Sequence, residues 1–103
     1  MSTDEKVKLG QKIAGKFVGV TPSEWSKWSS YAAQRGLKKA IQLAQVMQQS
    51  VSLRPGPKQA YRSISHVISS FRRELEPLPT DELVEVLSYA RQALVARRAL
   101  DAE

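Results

Sequence analysis

Along nearly the whole sequence apolar residues return at steps of three and four, and nowhere do they alternate with polar residues for long. That spacing lays an apolar stripe along each helix and leaves no half-buried strand to pair. The expected fold is all-α, a compact bundle of four to five helices forming a single helical domain over residues 1–103.

Local signals place the boundaries. Thr21-Pro22-Ser23-Glu24 carries a threonine N-cap, a proline at the first helical position and a glutamate three residues after the cap, a capping box. Arg54-Pro55-Gly56-Pro57 and Glu76-Pro77-Leu78-Pro79 each stop a helix, because proline lacks a backbone N–H and clashes with the preceding turn. Helices are predicted at about 3–17, 22–35, 37–51, 57–75 and 80–98.

In the first helix, Ser2 or Thr3 is the cap, Asp4 and Glu5 suit the positive end of the dipole, and Leu9, Ile13 and Phe17 step along one face. Lys8, Lys12 and Lys16 run beside them. Gly10 and Gly15 each cost this helix about 1 kcal/mol relative to alanine, so it depends on a partner surface. The third helix carries Leu37, Ile41, Ala44, Met47 and Val51, the fourth Ala60, Ile64, Val67, Ile68, Phe71 and Leu75, and the last Leu83, Val86, Leu87, Ala90 and Leu94. Gly36 either separates two short helices or kinks one that runs to about Ser50. The spacing fits both.

Sixteen Lys and Arg against ten Asp and Glu give a net charge of +6, which favours a polyanionic neighbour. The imbalance is concentrated in residues 1–50, with eight basic and three acidic groups, against eight and seven in residues 51–103. No cysteine is present, which excludes disulfides and thiolate metal sites. No apolar run approaches the ~20 residues of a membrane span, and the first twelve residues, MSTDEKVKLGQK, lack the apolar core of a secretory signal. The expectation is a cytoplasmic protein without membrane contact.

Catalytic chemistry finds little to work with. His66 is the sole histidine, so two-histidine metal sites and cysteine–histidine nucleophiles are ruled out, and no serine sits in a nucleophile elbow. His66 reads as a boundary residue beside the apolar stripe, and Glu74, Glu76, Asp81, Glu82 and Glu85 read as capping and solubility groups at a helix junction. No catalytic residue, metal ligand or cofactor is expected.

The basic residues fall into stripes once placed on helices. Trp25, Trp28 and Ala32 share one face and read as core, while Lys27, Tyr31 and Arg35 share another, joined by Lys38 if the helix continues through Gly36. Lys39 adjoins them. An aromatic inside a basic stripe suits stacking by a single-stranded nucleic acid, although a solvated tyrosine fits equally. Lys58, Arg62, Arg72 and Arg73 form a second stripe on the fourth helix, with Ser65 and Ser69 among them, suited either to phosphate contacts or to a polar outer face. These nine residues, Lys27 to Arg73, are the candidate nucleic-acid-binding set.

Two resemblances bear on function. Ile13 to Trp28, IAGKFVGVTPSEWSKW, resembles a phage-repressor-type helix-turn-helix through Gly15, Gly19, Val20, Pro22 and Trp28. It implies a DNA-binding regulator whose Ser23, Glu24, Ser26 and Lys27 meet the major groove. Over its whole length, the order of VTPSEWSKW, LRPGPKQAY and EVLSYAR is similar to the small helical subunits of CRISPR effector complexes of the Cascade and Csm type. That resemblance implies a non-catalytic antiviral-defence subunit of a ribonucleoprotein, present in several copies beside other subunits. Such a subunit steadies target RNA, displaced single-stranded DNA or a guide–target duplex through basic residues. A helical module that binds only a protein partner is the further alternative.

Overall fold

The structure, a computed structural model, describes residues 1–101. Six helices follow one another: α1 (Thr3–Lys16), α2 (Pro22–Arg35), α3 (Leu37–Gln48), α4 (Pro55–Ser70), α5 (Arg72–Leu75) and α6 (Thr80–Asp101), with no strand among the described residues. The all-helical expectation holds. A radius of gyration of 13.0 Å matches the ~13 Å of a close-packed chain of about 100 residues.

The helix count exceeds the expected four to five because the fourth predicted helix breaks at Phe71. There the Ser70 hydroxyl donates to the Val67 carbonyl at 2.6 Å, and the Phe71 N–H turns to Ile68 as well as Val67. A serine competing for its own helix's carbonyls loosens the ladder at that point. α3 likewise stops at Gln48 rather than near 51, since Val51 is 96 % exposed and gives the helix nothing to pack. The N–H groups of Gln49 and Ser50 reach back three residues to Val46 and Met47, closing a tightened last turn. α4 starts at Pro55, earlier than expected, because proline is preorganised for a first helical turn.

The expected capping box at Thr21 forms, and Ser2 rather than Thr3 caps α1 in a second one. Ser2 and Thr21 accept from the N–H groups of Glu5 and Glu24, whose carboxylates accept from the cap N–H groups in return. Gly36 takes φ +92°, a conformation that L side chains rarely adopt, and so separates α2 from α3. The chain therefore has two short helices here.

α1 and α6 run side by side and parallel: Lys6 pairs with Glu85, Gly10 meets Val86, Tyr89 and Ala90, and Arg97 reaches Phe17. A Cβ at Gly10 would lie 2.8 Å from the Ala90 backbone nitrogen, so the missing side chain permits the close approach. Parallel helices bring like dipole ends together, and charged side chains offset this at both ends. The Lys6 ammonium sits 3.0 Å from Glu85 and 3.9 Å from Glu82 at the α6 start, and the Arg97 guanidinium donates to the Phe17 carbonyl at the α1 end. α2 packs on both α6 and α3, and α3 packs on α4.

The tryptophans of α2 anchor this arrangement. Both are fully buried, as their spacing implied, and their rings stack at a centroid distance of 5.1 Å with Phe17 4.9 Å from Trp25. The Trp25 indole N–H donates to the Leu87 carbonyl of α6, and the Trp28 indole N–H to the Ala40 carbonyl of α3. One helix is thus tied to its neighbours on both sides by polar bonds inside an apolar core.

Candidate nucleic-acid interface

Charge pairing separates structural cations from free ones. Of the sixteen Lys and Arg, only Lys6 and Arg72 lie within salt-bridge distance of a carboxylate among the described residues. Arg91 and Arg97 are also held internally, on the Ser26 hydroxyl at 2.7 Å and the Phe17 carbonyl at 3.2 Å. Among the described residues the remaining lysines and arginines have no carboxylate within salt-bridge distance, and all of them but the half-buried Lys58 are exposed.

The nine predicted binding residues fall into distinct environments. Lys27 and Arg35 are exposed on α2, with Tyr31 between them. Tyr31 is only half-exposed and packs against the core, so its ring is partly occupied by the protein itself. Lys38 and Lys39 are exposed but belong to α3, so the stripe does not continue through Gly36 as one helix face. Lys58 and Arg62 lie on α4, half-buried and exposed respectively. Arg72 and Arg73 sit on the separate turn α5, and Arg72 is engaged with Glu76 at 2.6 Å. Ser65, read from sequence as a hydroxyl among the arginines, is buried.

The starts of α3 and α4 differ electrostatically from those of the other long helices. α1, α2 and α6 each carry acidic residues in the first turn, while α3 and α4 carry none and have no side-chain cap bond. Lys38 and Lys39 occupy the second and third positions of α3, where the helix dipole is already positive. This arrangement opposes folding slightly and reinforces the attraction for an external anion.

A groove of about 560 Å³ lies where the end of α1, the end of α3 and the face of α4 meet. Lys16, Gln48, Gln59, Arg62, His66 and Ser69 line it, and no carboxylate does. The loop after α1 is held there because the Val18 N–H donates to the Ser63 hydroxyl at 3.0 Å, while Gly19 turns with φ +72°. Of these six residues the binding set contained Arg62 alone. Lys16 was visible as the last of the Lys8-Lys12-Lys16 row, and His66 follows Arg62 by one helical turn, but their meeting depends on how α1 and α4 pack. His66 is exposed here, on the outer side of the stripe.

The residues assigned to a helix-turn-helix have other partners. Phe17 is core, α1 lies along α6, Glu24 closes the capping box and Ser26 holds Arg91. Among the described residues no cluster of His, Asp and Glu has the geometry to hold a metal ion. Nor is any helix among them long and apolar enough to cross a membrane. Compared with protein-family models, curated proteins and solved structures, the chain matches none.

Proposed function

We propose that this chain is a non-catalytic, cytoplasmic small subunit of a CRISPR-type ribonucleoprotein effector, binding single-stranded nucleic acid through basic helix faces. The observation that carries the reading is the exposed positive charge of Lys27, Arg35, Lys38 and Lys39, which has no carboxylate partner among the described residues. Exposed lysines and arginines release condensed counterions when they meet phosphates, which supplies affinity without sequence preference. The resemblance in motif order to small effector subunits supplies the assembly context. Partners in this reading are the nucleic acid, the other subunits and further copies of the chain.

The internal use of Ser26 and Glu24 favours this reading over a regulator that reads the major groove with them. The test is charge reversal at Lys27, Arg35, Lys39 and Arg62 to Glu, followed by measuring retention of the target strand by the assembled complex. Loss of retention with assembly intact supports the proposal. Unchanged retention refutes it.

A further inference from the structure

The groove between α1, α3 and α4 is lined by cations, amides, hydroxyls and an imidazole, with no carboxylate among its lining residues. Its two permanent cations come from different elements, Lys16 from the end of α1 and Arg62 from α4, so they converge from two sides. Gln48 and Gln59 each offer a donor and an acceptor, Ser69 a hydroxyl, and His66 an imidazole one turn beyond Arg62. Its volume of about 560 Å³ lies within the ~300–1,000 Å³ typical of ligand sites. The groove is open along the surface, which suits one unit of a polymer passing across it better than an enclosed small molecule.

We propose that this groove holds one nucleotide unit of a single strand, its phosphodiester between Lys16 and Arg62 and its base edge against Gln48 and Gln59, with His66 one turn beyond Arg62 as a further contact. The inference rests on the nucleic-acid-binding reading and locates its most specific contact. Phosphate oxygens accept from the ammonium and guanidinium in charge-assisted bonds. Amide side chains pair with base edges of either hydrogen-bonding pattern, so the contact tolerates any sequence.

Because His66 is the only histidine, its ring resonances report this groove alone. The experiment follows them by NMR in the full chain during titration with a short oligothymidylate, and separately with inorganic pyrophosphate, while fluorescence anisotropy measures affinity. Lys16→Gln/Arg62→Gln, Lys38→Glu/Lys39→Glu and His66→Asn variants accompany the wild type. The expected result is that the oligonucleotide shifts the His66 signals. Lys16→Gln/Arg62→Gln should lose both that response and about tenfold in affinity. Lys38→Glu/Lys39→Glu should bind more weakly yet show the same His66 response at saturation, and His66→Asn should weaken binding less than Lys16→Gln/Arg62→Gln does.

If the oligonucleotide binds while His66 stays unmoved and Lys16→Gln/Arg62→Gln binds like wild type, the groove assignment is overturned and the general reading survives. If pyrophosphate moves His66 as tightly as the oligonucleotide does, the groove is a free-phosphate site and the strand path is overturned. Absence of any oligonucleotide binding at low salt overturns the reading and the groove together.

Discussion

The indole N–H of Trp25 donates to the backbone carbonyl of Leu87 at 2.9 Å, joining the second helix to the middle of the last across 62 positions of sequence. The bond is buried, and Leu87 lies beside Val86 and Ala90 in the same core. Trp25→Phe keeps most of the apolar contact and removes only the donor, so we expect a loss of about 1 kcal/mol. Trp25→Ala removes the ring as well and should cost about 3–5 kcal/mol. Urea unfolding measures both, and equal losses for the two variants would contradict the assignment of most of the energy to packing.

Two glycines of α1 are expected to respond to alanine with opposite signs. At Gly10 a Cβ meets backbone atoms of α6 at 2.8 and 2.9 Å, so Gly10→Ala must push α1 away from its partner and should destabilise by about 1–3 kcal/mol. At Gly15 nothing lies within 4 Å, and Gly15→Ala should stabilise by about 0.5–1 kcal/mol through helix propensity. Thermal melts of the two variants measure both signs, and a stabilising Gly10→Ala would contradict the close approach of α1 and α6.

Lys38 and Lys39 oppose the dipole of α3 while facing outward. Changing either to Glu should raise stability by about 0.3–1 kcal/mol at low ionic strength, and should weaken single-strand binding at the same time. A variant that gains stability and keeps full affinity would remove these residues from the interface.

The alkaline limb of the stability profile has two identifiable sources. Hydrogen bonding to Glu85 holds the Lys6 ammonium above its ordinary 10.5, and burial holds the Tyr61 phenol above its ordinary 10.0. In both cases the folded value exceeds the unfolded one. Their contributions are therefore complete below the ordinary values and are lost as pH rises through the raised ones. Lys6→Met should make the alkaline decline shallower, leaving the part due to Tyr61, as followed by denaturant midpoint against pH. An unchanged alkaline slope in Lys6→Met would contradict the role given to the Lys6–Glu85 contact.

Much of the fold was legible because its signals are local. The cap at Ser2, the capping box at Thr21, the proline breaks and the stripes through Ile13, Trp25, Trp28, Ile64 and Leu87 are all read from residues a few positions apart, and all stand in the structure, which settles Ser2 over Thr3. The misplaced boundaries had causes that periodicity does not report. Ser70 competes for a helix carbonyl at the α4 end, and Val51 keeps the helical rhythm but meets no neighbour.

The interface was less legible. A stripe drawn on one helix assumes that the helix continues, and Gly36 ends that continuity between Arg35 and Lys38. The groove could not be drawn at all from single helices, because Lys16, Gln48 and Arg62 come from three of them. The bond between Ser63 and Val18, the contact of α1 with α4 and the packing of α3 on α4 bring them to one place.

The most direct test of the central claim is the affinity for a labelled single strand of mixed sequence, measured by fluorescence anisotropy across a range of salt concentrations. The account requires log affinity to fall linearly with log salt, and each of Lys27→Gln, Arg35→Gln and Lys39→Gln to reduce the slope by about 0.7, one phosphate contact apiece. A flat salt dependence, no binding at low salt, or a preference for one particular duplex sequence would contradict it.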